Sequence, residues 1–207
     1  MAHYSRGIVL AGAVVASMAV ALPAHALFQI DLNPGGTKFF ISNANKDVST
    51  FSGVVGASPV TVDTTGNVDT GAGFATISPV TGTTLTDLLF TPQDPNLFTD
   101  FSFRGQLLAA GNVTVTVTDN QGDPAQTFVF AIAQANADFA RIGIVAVLGS
   151  GETIKTVDVS NPGFKEFKQV EFSTAIPELS TWAMMLVGFA GVALQMRRRR
   201  STAELTA

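Results

Sequence analysis

Between residues 112 and 173 apolar and polar side chains alternate with a period of two, the pattern of half-buried β-strands. Within 112–118, Val113, Val115 and Val117 point one way and Thr114, Thr116 and Thr118 the other. Within 126–133, Phe128, Phe130 and Ile132 share a face. Asp119-Asn120-Gln121-Gly122-Asp123-Pro124 lies between the two runs and is dense in turn formers, which predicts a hairpin. Residues 139–148 are more continuously apolar, as in a strand covered on both faces. Gly149-Ser150-Gly151 turns the chain into a strand at 153–159, and Asn161-Pro162-Gly163 turns it again into one at 165–173. The second half thus predicts five strands in meander order.

The first half is less regular. Strand-like pieces occur at 27–32, 38–41, 49–55, 74–77, 84–90 and 97–107, and the stretch 63–73 of Thr, Gly and Asn reads as a loop. No amphipathic helix interrupts them. Many short strands with frequent Thr and Gly predict an all-β domain over 27–175, a single β-sandwich of jelly-roll type.

Both ends depart from this pattern. Residues 1–26 begin with a short basic segment ending at Arg6. An uncharged run from Gly7 to Leu22 follows, then Pro23 and the small-x-small triplet Ala24-His25-Ala26. A charged start, an apolar centre and small residues at −3 and −1 predict a signal peptide that signal peptidase removes, with Ala24 and Ala26 setting the cleavage site. At the other end, 182–196 carries no charge and Arg197, Arg198, Arg199 and Arg200 follow together. Fifteen helical residues reach about 22 Å against a hydrocarbon core of about 30 Å. Snorkelling arginines extend the span, and the cluster stops transfer on the cytoplasmic side. A transmembrane helix at 182–196, with 201–207 as a cytoplasmic tail, is therefore expected.

The residues before this helix, Ile176-Pro177-Glu178-Leu179-Ser180-Thr181-Trp182, together with the Gly/Ala/Phe-rich helix and the arginine cluster, resemble the PEP-CTERM sorting signal of exported Gram-negative proteins. Leu179 stands where the family's Pro-Glu-Pro has its second proline. The resemblance covers 176–200 and implies an exosortase as partner, with Pro177, Glu178, Leu179, Ser180, Thr181 and Trp182 as the sorting motif. It also implies anchorage in the inner membrane facing the periplasm, release to the cell surface or matrix, and an association with exopolysaccharide. The stretch from Asp138 to Phe172 is similar to domains carried by such proteins.

Composition narrows the chemistry. The chain has 207 residues, a net charge of −4 and no cysteine. Disulfides, zinc–thiolate sites and thiol nucleophiles are excluded. Both histidines (His3, His25) and the only tyrosine (Tyr4) precede residue 27, and Trp182 is the only tryptophan. Between 27 and 176 seven basic side chains face fourteen acidic ones, a surface that repels nucleic acid and other polyanions. Without His or Cys no Ser-His-Asp or Cys-His arrangement can form, and glycine-rich phosphate loops are absent. Carboxylate pairs are the chemistry that remains. The chain reads as non-enzymatic, with no catalytic residue and no cofactor.

Asp119, Asn120 and Asp123 supply hard oxygens in one loop and are calcium candidates. The same residues are also what a tight turn requires. Lys165, Lys168 and Arg141 read as a solvated face. The expectation is an exported structural, adhesive or matrix protein. The alternative is an extracytoplasmic β-sandwich that binds a glycan or calcium, its glycan contacts resting on polar side chains because Trp and Tyr are lacking.

Overall fold

The computed structural model describes residues 28–174, apart from 33–34, 95–96 and 148–149, together with Phe189. Twelve strands follow one another with no helix between them: β1 (Phe28–Ile30), β2 (Thr37–Ile41), β3 (Val48–Val55), β4 (Ser58–Gly71), β5 (Gly73–Phe74), β6 (Thr76–Pro79), β7 (Leu85–Pro92), β8 (Phe98–Leu107), β9 (Gly111–Asp119), β10 (Gln126–Ile132), β11 (Ile142–Ala146) and β12 (Ile154–Thr174). Every pairing is antiparallel.

Two long strands join two layers. The first half of β12 lies between β9 and β7, where Val157 pairs with both Val117 and Phe90. Its second half lies between β8 on one side and β6 and β2 on the other. β4 does the same, pairing with β3 and β7 through Thr61 and Val62 and with β6 from Val68 onward. One layer therefore runs β10-β9-β12-β7-β4-β3, and the other runs β1-β11-β8-β12-β6-β4. Strands that pass from one layer to the other through a bend make the corners of such an arrangement.

The corners are written locally. In β12 the register shifts between Ser160 and Phe164. Pro162 has no amide to donate there, and Asn161 Oδ1 accepts from the Gly163 N–H at 2.8 Å while its Nδ2 donates to Asn112 O at 2.7 Å. In β4 the corner holds Gly66, where a Cβ would come within 2.8 Å of Thr84 O.

Phenylalanine fills the space between the layers. Phe90 of β7 meets Phe101 at 5.2 Å, Phe167 at 5.7 Å and Phe172 at 6.3 Å, all from the opposite layer, and Phe39 at 6.2 Å. Phe103 stacks on Phe167 with centroids 4.5 Å apart. Val113, Val115 and Val117 point into the same core, as the alternation requires.

The all-β expectation and the β9–β10 hairpin hold: Gln126 pairs with Val117 and Ile132 with Gly111. The meander does not. β11 pairs with β8 and β1, not with its sequence neighbours. The strands expected at 153–159 and 165–173 are one bent strand, because Asn161 secures a corner in place of a reversal. The expected loop at 63–73 is largely strand β4, whose inward positions Val60, Val62 and Val68 are widely spaced among threonines. The solvated face is also corrected. Only Lys165 is exposed there. Lys168 lies 3.0 Å from both Asp138 and Glu166, and Arg141 is paired with Glu171 at 2.9 Å with both side chains largely buried. Local sequence gives no sign of partners that the fold brings from distant strands.

Candidate functional site

Where the valines, leucines and phenylalanines of the first layer turn inward, their neighbours on the same strands turn outward. Reading across the layer, Thr127 lies opposite Thr116, Thr116 opposite Asp158, Asp158 opposite Leu89, Leu89 opposite Asp63, and Asp63 opposite Thr50. A parallel row runs Val129, Thr114, Ser160, Asp87. Thr118 pairs with Thr156, and Thr91, Thr61 and Ser52 stand in register nearby. Neighbours across the strands are about 4.8 Å apart and successive outward residues about 7 Å apart along them. The face is thus a grid of hydroxyls with three carboxylates, Asp63, Asp87 and Asp158, and two exposed apolar side chains, Leu89 and Val129, set in it.

Several of these groups already bond to one another. Thr50 Oγ1 donates to Asp63 Oδ1 at 2.7 Å, Thr86 Oγ1 donates to Asp87 Oδ2 at 2.8 Å, and Thr116 and Thr127 share a 3.2 Å contact. Burial raises the Asp158 carboxyl above the ordinary carboxylate range, and the nearby negative charge of Asp87 adds to the rise. At the end of the grid Thr86, Asn112, Thr114, Ser160, Asn161 and Pro162 line a shallow groove of about 450 Å³, open to solvent. Lys155 is the only Lys or Arg among the described residues on these stretches of strand. No aromatic ring takes one of the outward positions named here. Sequence reading located the Thr114-Thr116-Thr118 stripe on β9. It missed Asp87, Asp158 and Ser160, which join that stripe only through pairing with β12 and β7.

A second cluster sits at one end of this layer. Asp119 Oδ1 accepts from the N–H groups of Gln121 at 2.6 Å, Gly122 at 2.7 Å and Asp123 at 3.2 Å, so the loop is tied as a turn. Asn120 donates its backbone N–H to Thr153 O at 3.1 Å, which draws in the segment before β12. That segment brings Glu152, whose N–H bonds Ser150 Oγ at 3.2 Å. Asp119, Asp123 and Glu152 each place a carboxylate oxygen within 4.8 Å of the others. Asp119 and Glu152 are 1% and 3% exposed, and Asp119 Oδ2 and Glu152 Oε2 have no hydrogen-bond partner. Burial, then the charges of Asp119 and Asp123, push the Glu152 carboxyl up. With oxygens no more than 4.8 Å apart, two such charges repel by at least about 3 kcal/mol at an effective dielectric of about 20. A turn explains Asp119 and leaves Glu152 unexplained. Of the three calcium candidates, the structure joins Asp119 and Asp123 and adds Glu152, which sequence spacing does not indicate.

The signal-peptide residues Ala24 and Ala26, the motif Pro177, Glu178, Leu179, Ser180, Thr181 and Trp182, and the stop-transfer residues Arg197 to Arg200 lie outside the described residues. Among the described residues no helix is long and apolar enough to cross a membrane.

No protein-family model matches the chain. No curated protein matches it. Among solved structures the chain is similar to a family 29 carbohydrate-binding module at 10% identity and TM-score 0.32, covering 72% of this chain and 90% of that one. It is also similar to a family 11 carbohydrate-binding module from Clostridium thermocellum in complex with a beta-1,3-1,4-mixed-linked tetrasaccharide, at 12% identity and TM-score 0.33, covering 70% of this chain and 99% of that one. Likenesses of this degree establish neither a family nor a ligand.

Proposed function

We propose that the chain is a non-enzymatic, extracytoplasmic β-domain that binds a neutral polysaccharide on the outward face of β10, β9, β12, β7, β4 and β3. The grid of Thr and Ser hydroxyls around Asp158 supports this reading most directly. Sugar hydroxyls both donate and accept, and the face offers both roles at strand spacing. Carboxylates accept from sugar hydroxyls more strongly than neutral oxygens do. The same carboxylates, almost without cations beside them, repel uronic-acid and phosphate polymers. Protein partners favour aromatic and Arg anchors in a desolvated centre, which this face lacks. Each contact contributes about 0.5–1.5 kcal/mol net, so binding strength depends on engaging several sugar units at once.

Asp158 separates binding from stability. An acid whose folded value is raised stabilises the fold less as pH climbs from 3.8, its ordinary value, through the raised one. Asp158→Asn is therefore expected to raise stability modestly at neutral pH, the gain being limited by solvent screening. The gain should disappear below about pH 4, where both forms are neutral. The same substitution should weaken polysaccharide binding about tenfold, the loss of one charge-assisted hydrogen bond. Thermal melts across pH and affinity electrophoresis of the same variant check the pair of effects. Unchanged binding in a stabilised variant counts against the proposed site.

The terminal segments support a further reading, in which residues 1–26 direct export and 176–200 anchor and sort the protein as the PEP-CTERM resemblance implies. Mass analysis of the N- and C-termini of the cell-associated protein tests it. Retention of residues 1–26, or a tag after Ala207 accessible from the periplasm, contradicts it.

A further inference from the structure

We propose that Asp119, Asp123 and Glu152 form a calcium site that clamps the β9–β10 loop to the segment entering β12. Two independent observations carry it. The first is convergence: three carboxylates from two loops bring oxygens within 4.8 Å of one another. Oxygens bound to one Ca²⁺ at about 2.3–2.6 Å are at most about 4.6–5.2 Å apart, so the three fit around a single ion. The second is the state of the oxygens. Asp119 Oδ2 and Glu152 Oε2 are buried and receive no hydrogen bond, although the other oxygen of Asp119 takes three. Buried carboxylate oxygens are ordinarily hydrogen-bonded, paired or bound to metal. No lysine or arginine forms an ion pair with any of these three acids among the described residues.

The donor set selects the ion. Oxygen-only carboxylate ligands suit hard cations rather than zinc or copper. Magnesium keeps several of its waters and is ordinarily held by one or two carboxylates, so three carboxylates converging from two loops suit calcium better. Water completes the coordination. The role is structural, because Asp119 pairs with Ile154 where β9 ends and β12 begins, and the ion ties the loop leaving β9 to the segment entering β12. This inference does not depend on the polysaccharide reading.

Full-length protein, purified in mild detergent and stripped with EDTA, is melted with and without CaCl₂, and bound ⁴⁵Ca²⁺ is counted by equilibrium dialysis. The expected result is one ion per chain and a melting temperature raised by about 5–10 °C at a hundredfold excess over Kd. Glu152→Gln and Asp123→Asn should each lose most of the calcium response. Glu152→Gln should also melt in EDTA at or above the wild-type temperature, since it removes an uncompensated buried charge. Circular dichroism confirms that each variant is folded. No shift in wild type, an undiminished response in both variants, or a magnesium effect as large as that of calcium overturns the proposal.

Discussion

Phe90→Ala is expected to lower the unfolding free energy by about 3–5 kcal/mol, the range for removing a fully buried aromatic ring from a core that cannot collapse around the gap. The position of the ring accounts for the size of the effect. Phe90 stands on the layer that carries the polar grid and is fully buried. It contacts Phe101, Phe167 and Phe172 of the other layer and Phe39 of β2. Those rings are themselves packed, with Phe98 and Phe101 each 5.0 Å from Phe172, so no neighbour can move in without opening a second void. Phe40→Ala is the matching control. Phe40 is 44% exposed and, among the described residues, its only ring contact is Phe74, at 6.5 Å. Its truncation should cost about 1 kcal/mol or less. Urea denaturation of both variants checks the contrast. Equal losses would show that the two layers are not held together by this cluster.

Arg141→Met is expected to cost about 3 kcal/mol, and its cause is electrostatic rather than steric. Arg141 Nη1 lies 2.9 Å from Glu171 Oε2 and Nη2 lies 3.2 Å from Glu171 Oε1, a two-pronged pair with side chains 13% and 14% exposed. Nη1 also donates to Ser102 Oγ at 2.9 Å, so the guanidinium links β8 and β12 beside the start of β11. Removing the arginine strands a carboxylate away from most of its water, and that uncompensated charge is the main source of the loss. Removing both charges with apolar residues of similar volume should restore stability to within about 1 kcal/mol of wild type. Urea denaturation of Arg141→Met, Glu171→Leu and the double variant measures the coupling directly. A neutral Arg141→Met would mean that the pair is solvated despite its burial.

What the sequence made legible follows from the range of the interactions concerned. Alternation over 112–118 and 126–133 located β9 and β10 because each residue's face is set by its neighbours two positions away. The Asp119–Pro124 turn was legible for the same reason. β4 was not: its inward Val60, Val62 and Val68 are separated by a corner at Gly66, and the threonines between them look like loop until strands are placed on either side. The Asn161-Pro162-Gly163 corner has the composition of a reversal, and only the bond from Asn161 to Asn112, 49 positions away, makes it a bend within one strand. The candidate sites divide likewise. Two of the three clustered acids lie in one loop and were visible, whereas Glu152 arrives through the β9–β12 pairing. The hydroxyl grid showed only its β9 stripe, since Asp158 and Asp87 become neighbours of that stripe through registers that no local pattern encodes.

The outward grid is the centre of the functional account, and affinity electrophoresis tests it most directly. Full-length protein is run in detergent-containing native gels cast with neutral polysaccharides (hydroxyethylcellulose, dextran, galactomannan) and with polygalacturonate, beside the variant Thr114→Val/Ser160→Val. Retardation by at least one neutral polymer, none by polygalacturonate, and free migration of the variant are expected, because the variant places strand-favouring valine at both positions and loses two of the hydroxyls that line the groove. Retardation by the polyanion alone, unchanged retardation of the variant, or free migration of the wild type through every neutral gel would contradict polysaccharide binding by this face.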